Sequence, residues 1–472
     1  YLHNNRIQGA DLGSTIIGRA VQQRPFDRPY KPNGGYYTGG TDELLLHNAV
    51  QILSEETSYT DNYRFIGSFW AEAQIIKGLT VRASYNNDSA YTYDYIYYNQ
   101  NHPYAADKGR ILDRNRFVMT NTIDLYANYN RKIGEDFELG AMVGHSFLKT
   151  RSRTSYIDAQ NYPSPAFDVA SVAANIVDAS AGLSEYAIES YFARLSLAYK
   201  DRYVVNATIR TDGSSRFAAN DRWGFFPSAS AGWRISEEKF WEPMRNVVNN
   251  FKIRASYGII GNQDISPYST LGSLGTTGFT YGTNQSYTGY WANSFATPDL
   301  TWEKVHQFDL GVDLGFFGNR LSISFDYFNK TTKDALLQTA APGYLGGTRY
   351  WVNAGEVNNK GVDVTINGQI IQTKDWSWSS TLNASYIKNK VTKMTADEPI
   401  IYGEKPAPGT VDPCTIIKEG EAIGTFYGFK WAGLQKNDKG EWIDTYYTAD
   451  GGTTATPDAS KDRFVLGRSN PD

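Results

Sequence analysis

The stretch Arg320-Leu321-Ser322-Ile323-Ser324-Phe325-Asp326-Tyr327 decides the fold, because every odd position is apolar or aromatic and every even one polar. A period of two puts alternate side chains on opposite faces of an extended chain, one apolar and one wet. Just before it, Gly318-Asn319 marks a reversal, and Phe308-Asp309-Leu310-Gly311-Val312-Asp313-Leu314 alternates on the even phase. Further on come Val362-Asp363-Val364-Thr365-Ile366-Asn367 and Leu382-Asn383-Ala384-Ser385-Tyr386, also with apolar even positions. Earlier in the chain, Phe251 to Tyr257, Tyr203 to Arg210 and, apart from Tyr126, Ile123 to Tyr129 keep the same alternation. Several runs exceed the ~5–6 residues of an ordinary globular strand. The pattern predicts about twelve strands, with one or two more within 415–433.

The connections alternate as well. Short ones fall at Lys77-Gly78, Lys132 to Asp136, Lys200 to Arg202, Gly318-Asn319 and Thr373 to Asp375. Long ones are predicted at about 90–112, 150–188, 211–222, 261–300, 333–350 and 393–416. An up-and-down antiparallel sheet with tight turns at one end and long loops at the other is the layout of an outer-membrane barrel. Aromatic residues beside the tight turns, Tyr199 and Tyr203, Phe316 and Phe317, Trp376 and Trp378, suit an interfacial girdle. A soluble sandwich, propeller or solenoid also alternates. Against it stand mid-strand charges such as Arg254, Asp309, Asp313 and Asp363, which a dry inter-sheet core would not tolerate.

Composition narrows the classes further. At 472 residues, 41% hydrophobic and 20% charged, the chain is neither disordered nor an ordinary helical membrane protein. No run of 18 apolar residues is present, which says nothing against a membrane barrel, since a barrel needs only alternation. A net charge of −4 argues against nucleic acid as a partner. The single Cys414 excludes a disulfide framework and any multi-thiolate metal centre. The chain opens on Tyr1 without a leader sequence and stops in Asn470-Pro471-Asp472, so a portion of a longer protein is expected.

No constellation of catalytic residues stands out. Glu303 and His306 have the spacing of a di-iron ligand pair, but that spacing needs a helix, and in a strand it divides them between two faces. Asp438, Glu441 and Asp444 could hold calcium, yet the run lacks the order of an EF-hand loop and reads as a solvated acidic loop. Nucleophile-elbow, P-loop and zinc-protease motifs are all missing. The sequons at Asn206, Asn329 and Asn383 lie in strands or at strand ends and read as polar wall positions. An enzyme is therefore not expected, nor a cofactor or metal. The long loops do carry flat aromatics among adaptable polar neighbours, as a sugar or peptide face would require: Tyr281, Tyr287, Tyr290 and Trp291, then Tyr344, Tyr350 and Trp351. A third cluster runs through Tyr91, Tyr93, Tyr95, Tyr97 and Tyr98. For any single one of these, packing between loops is the simpler role.

Several segments taken together resemble one family. They are Asp212-Gly213-Ser214-Ser215-Arg216-Phe217, Trp223-Gly224-Phe225-Phe226-Pro227-Ser228, Gly232-Trp233-Arg234-Ile235 and Arg254-Ala255-Ser256-Tyr257-Gly258 with Gly261-Asn262-Gln263. Pro298-Asp299-Leu300-Thr301-Trp302-Glu303, Tyr327-Phe328-Asn329-Lys330, Asn353-Ala354-Gly355, Asn359-Lys360-Gly361-Val362-Asp363 and Gly424-Thr425-Phe426-Tyr427-Gly428 follow in order. Glu is more usual than this chain's Asp363, and the fit of Ile17-Gly18-Arg19-Ala20 is looser. The pattern resembles the SusC/RagA class of TonB-dependent outer-membrane transporters of Bacteroidota. That resemblance implies an all-β fold, part of a 22-stranded transmembrane barrel whose N-terminal plug lies outside this chain. Residues 1–59 would be an extracellular stretch leading into the barrel, and 60–472 barrel strands with long extracellular loops, incomplete at both ends. It further implies import of a large nutrient, a glycan or an oligopeptide, with a SusD-like surface lipoprotein, TonB and outer-membrane lipid as partners. Alternatives are a passive porin or adhesin barrel, or a soluble glycan-binding β-protein.

Overall fold

The computed structural model describes residues 2–5, 28–37, 48–102, 105, 108–281, 285–340, 349–394, 400–402 and 414–468. The chain divides into two units, Tyr1–Ala73, Val81–Leu125 and Ser146–Glu189 in the first, Gln74–Thr80, Tyr126–His145 and Ser190–Asp472 in the second.

The first unit holds most of β1 (Leu2–Asn5), β2 (Glu56–Ile76), β3 (Leu79–Tyr98), β4 (Arg110–Ile133), β5 (Phe137–Gln160) and β6 (Asn175–Tyr199). Sheet order follows chain order throughout. Two of the predicted long loops, 90–112 and 150–188, turn out to be mostly strand: β3 continues to Tyr98, β4 begins at Arg110, β5 reaches Gln160 and β6 begins at Asn175. The physical reason is that a sheet wetted on both faces need not alternate. Arg151-Ser152-Arg153-Thr154 is polar on both phases and carries no period of two.

The tyrosine cluster lies in that continuation. Tyr95, Ile111, Ala159 and Tyr162 form a buried core, with Tyr59 stacked on Tyr95 at 5.1 Å between centroids. The Tyr95 hydroxyl donates to the Asp168 carbonyl at 2.7 Å, and burial pushes the Tyr162 phenol up to about 12. Beside it, the short helix α1 (Ala49–Glu55) is capped by Asn48, whose side chain accepts from the amides of Val50 and Gln51 and donates to Pro29 and Tyr37 carbonyls.

The second unit continues with β7 (Tyr203–Ser214), β8 (Trp223–Phe225), β9 (Ser228–Arg234), β10 (Val248–Asn262), β11 (Ser273–Tyr281), β12 (Gln285–Ser294), β13 (Glu303–Phe316), β14 (Leu321–Lys333), β15 (Leu336–Ala340), β16 (Arg349–Asn353), β17 (Glu356–Gln372) and β18 (Ser377–Lys393). The main sheet runs β6-β7-β9-β10-β13-β14-β17-β18, with every pairing from β7 to β18 antiparallel. β11 with β12 and β15 with β16 are hairpins off that sheet, within segments the sequence marks as loops. Residues 400–402 and 415–467 contribute to small sheets of their own.

Register fixes what each face offers. Across seven strands, Val205, Ala231, Ala255, Leu310, Tyr327, Val362 and Tyr386 stand in one row. Tyr203, Trp233, Ile253, Val312, Phe325, Val364 and Ala384 make another on the same face. A one-residue slip in any strand would put its apolar set among the polar ones, so the band itself pins the register. The turns do the same locally. Lys200 and Asp201, with φ of 53° and 54°, form the left-handed pair that matches the twist of a hairpin.

Rings border this band at two levels. Near the tight turns, Phe137, Tyr199, Tyr203 and Trp233 form a continuous ladder with centroid spacings of 4.5, 6.2 and 6.2 Å. Toward the other strand ends, His145, Tyr191 and Trp223 form a second, at 4.8 and 6.1 Å. Tyr191 and Tyr199 are eight residues apart on β6, about 27 Å along the strand at ~3.4 Å per residue. Tilted by ~40°, that gives ~20 Å between ring centres, and the rings fill most of the remainder of a ~25 Å apolar band. β5 and β6, at 24 and 25 residues, are each about 80 Å long and far exceed the ~10 residues a membrane crossing takes.

Candidate functional site

The polar face of the second unit is a connected network. Arg254 on β10 donates to Asp313 at 3.1 Å and to Asp326 at 2.8 Å, and Ser324 donates to Asp313 at 2.8 Å. Gly311 makes this crossing possible, because a Cβ there would lie 2.5 Å from the Asp326 carboxylate and 2.6 Å from the Arg254 guanidinium carbon. Next to it, Asp309 accepts from the Ser256 hydroxyl and the Gln307 amide, and Arg210 donates to both oxygens of Asp212 and to Ser190. Asn206 accepts from Ser196 and donates to Ser230, which places that sequon on the polar face. Between β6 and β13 this face carries an open pocket of about 600 Å³, lined among others by Arg194, Arg210, Asp212, Ser230, Gln307 and Asp309.

The motifs that are scattered in the sequence meet in one core at the strand ends opposite the tight turns. Phe217, Phe226, Ile265, Leu300 and Trp302 are buried together, with Ile259, Leu336 and Trp351 packed against them. Trp302 lies 5.3 Å from Phe217 and 5.2 Å from Phe226 between centroids, and its indole donates to the Arg222 carbonyl at 2.7 Å. The Phe226 ring covers Gly224 and Gly261, either of which would collide with it through a Cβ. Asn353 ties the last motif in: it accepts from the Thr301 amide and donates to the carbonyls of Thr301 and Asp334. Arg216 donates to the Gln263 carbonyl, and Glu303 accepts from Asn262 and from the Leu336 amide.

The aromatics singled out for ligand contact divide between these settings. Tyr290 and Trp291, 72% and 42% exposed, stand on β12, with Trp291 over Gly275 of β11. Tyr281 and Tyr287 belong to the same hairpin by backbone, but their side chains are outside the described residues, as is all of Tyr344. Trp351 packs on the buried core, and Tyr350 meets Phe295 edge to face at 6.4 Å. Of these aromatics, only Tyr290 and Trp291 are described as exposed rings, and as consecutive residues of β12 they point to opposite faces of the hairpin. Neither the Arg254–Asp313–Asp326 network nor the Asp309 cluster was singled out as a site by sequence reasoning, although their residues appeared there as mid-strand charges.

The metal candidates disperse. Glu303 and His306 sit on opposite faces of β13, His306 at 2.9 Å from the Tyr257 hydroxyl. Asp444 accepts from the Trp431 indole, and Glu441 from Asn437. Among the described residues no group of three His, Cys, Asp or Glu could hold an ion.

An antiparallel sheet of this length, with a lipid-wide apolar band between two aromatic belts and a polar opposite face, defines a wall segment of a large outer-membrane barrel. The family profile described as TonB dependent receptor-like, beta-barrel, matches residues 3–467, and the chain belongs to that family. The TonB-dependent receptor P3 of Formosa agariphila is 30% identical over 430 residues, 90% of this chain and 42% of that protein. The TonB-dependent receptor SusC of Bacteroides thetaiotaomicron is 28% identical over 467 residues, 90% of this chain and 45% of that protein. Among solved structures, the RagAB peptide transporter superposes with a TM-score of 0.81 at 24% identity, over 93% of this chain and 48% of that one, a likeness of fold. The chain spans less than half the length of these relatives. As a member of that family, the chain belongs to an outer-membrane protein.

Proposed function

We propose that the chain is the barrel wall of a TonB-dependent importer that carries a large nutrient, a glycan or an oligopeptide, across the outer membrane. The observation that carries this reading is the polar face of the wall, where Arg254 is paired with Asp313 and Asp326 and Arg210 with Asp212 amid serine, threonine and asparagine side chains, a surface suited to the passage of a bulky polar solute. Two further strands' worth of hydrogen-bonding groups point the same way. Among the described residues, β18 pairs only with β17, and β2 beyond Asn62 pairs only with β3. In lipid such edges need partners, which the remainder of a closed barrel supplies.

In this reading a SusD-like lipoprotein captures the nutrient at the extracellular mouth, and TonB, acting on a plug, opens the path. The exposed Tyr290 and Trp291 would face that partner or the nutrient. The test is growth on a defined glycan or peptide mixture as sole source, with the full-length gene deleted and, separately, with TonB disabled. Loss of growth in both strains on the same nutrient is expected. Growth that survives loss of TonB would point to a passive porin instead.

A further inference from the structure

Within the first unit, the exposed Ile123 and Leu125 of β4 carry the apolar band, and Asp124 between them turns to the polar face, accepting from Ser84 and Ser146. Thr120 meets Thr150 on that polar face, hydroxyl to hydroxyl at 3.0 Å. These cross-strand contacts fix the register of β5 on β4. Asn121 therefore stands beside Lys149, Met119 beside Arg151 and Phe117 beside Arg153, all on the face of Ile123. At Asn121 that face changes character, since Tyr85 and Asn87 of β3 both donate to it, at 2.7 and 2.8 Å. On β5 the outward residues after Phe147 are Lys149, Arg151 and Arg153, each of them exposed. They lie away from the tight turn that joins β4 to β5, on the extracellular side of a barrel with short periplasmic turns. Their charge is mostly unanswered. Lys149 and Arg151 share Glu185 of β6, at 3.7 and 3.2 Å, and Arg153 meets no carboxylate among the described residues.

Height decides what these cations meet. Two residues of a strand tilted by ~40° climb ~5 Å, so Lys149, Arg151 and Arg153 stand one, two and three such steps above the last apolar row. The polar layer of a bilayer adds ~5–7 Å beyond the hydrocarbon on each side, and long cationic side chains lean several ångströms toward their partners. The three charged groups thus fall at headgroup depth, on the face turned to lipid. We propose that Lys149, Arg151 and Arg153 form a binding site for the phosphate of an anionic lipid in the outer leaflet. A guanidinium grips a phosphate through two parallel hydrogen bonds, and a lysine beside it adds a point charge. Glu185 spaces Lys149 from Arg151 and leaves Arg153 to lead the contact. A lipid is favoured over a free anion because its chains, packed beside Ile123 and Leu125, already hold the phosphate close at high local concentration. The proposal rests on the outer-membrane placement and not on what the barrel imports.

The test is native mass spectrometry of the full-length transporter in detergent, titrated with lipid A, a phosphorylated glycolipid, and with the same lipid stripped of its phosphates. Lipid A should bind about tenfold more tightly than the stripped form, by a margin that shrinks as salt rises. Arg153→Gln should weaken lipid A about fivefold, and changing all three cations to Gln should erase the margin. Glu185→Gln should act in the opposite direction, tightening lipid A by releasing Lys149 and Arg151, a gain that a damaged fold would not produce. Arg116→Gln, exposed on the other face of β4, should leave the margin as it is. Equal binding of the two lipids, a margin that survives the triple change, or one that falls equally with Arg116→Gln would overturn the proposal. Inorganic phosphate is the last arm: if it alone abolishes the margin, the site takes the free anion and the lipid assignment fails. No nutrient enters these titrations, so a failed growth experiment would overturn the import reading and leave this one standing. A protein that stays soluble without detergent would overturn both.

Discussion

The core at the strand ends and the β11–β12 hairpin use the same residue type to opposite purposes. Trp302 is 4% exposed, ringed by Phe217 and Phe226 and hydrogen-bonded through its indole. Trp291, on the hairpin, is 42% exposed and rests on a glycine. A tryptophan whose nitrogen and both faces are engaged is holding strands together. One with an open face is available to something else. The difference lies in long-range partners that no local window of sequence contains.

The contrast can be broken first at its buried end. Trp302→Ala should destabilise the full-length barrel by about 3–5 kcal/mol, the usual range for truncating a buried aromatic. Urea unfolding followed by gel mobility in lipid vesicles would register it, and a loss no larger than that of Trp291→Ala would dissolve the comparison. The apolar band comes next. Leu195, midway between Tyr191 and Tyr199 on β6, should cost about 2–4 kcal/mol when changed to Arg, as for a cation at mid-membrane depth. Ser196→Arg, one residue on and facing the polar side, should be far milder in the same assay. If both were equal, the assignment of faces would be wrong.

A smaller effect tests the belt near the tight turns. Glu238 accepts from the Tyr203 hydroxyl at 2.6 Å, from the Trp233 indole at 3.2 Å and from Arg202 at 3.2 Å, contacts that hold its carboxyl below the usual carboxylate range. A depressed acid contributes stability that is present above its unfolded pKa, about 4.3, and lost as pH falls through the folded value. Tyr203→Phe removes the largest of those contributions. Its stability deficit should therefore show near neutral pH and shrink on acidification, read from urea midpoints between pH 7 and 3. The smallest expected change is Trp291→Ala, within about 0.5 kcal/mol of the parent. Reduced nutrient uptake without loss of stability would sharpen its separation from Trp302.

The wall was legible because burial against lipid enforces alternation, and the strands around Arg320 to Tyr327 and Phe308 to Leu314 carry it without a break. The tight turns were legible for a related reason, since Lys77-Gly78 and Gly318-Asn319 need the left-handed conformations that glycine and asparagine tolerate. The extensions of β5 and β6 were not, because neither face of Arg151 to Thr154 is obliged to be apolar. Nor was the joining of Asp212 to Phe217 with Trp302 and Asn353, where chain segments far apart in sequence meet. Of the candidate aromatics, exposure separated Tyr290 and Trp291 from Trp351, a distinction that composition cannot make. The ion pairs around Arg254 were visible as charges but not as a network, since cross-strand register decides which carboxylates face the guanidinium.

The unbroken agreement between chain order and sheet order bears on how such a wall can be made. Each new strand of the main sheet finds its partner in a strand already laid down, with no segment to be threaded back between neighbours. Growth can thus proceed as a moving front, one hairpin at a time, from a single starting edge. The search for each contact stays short, and a nascent chain exposes only its newest strand to mispairing.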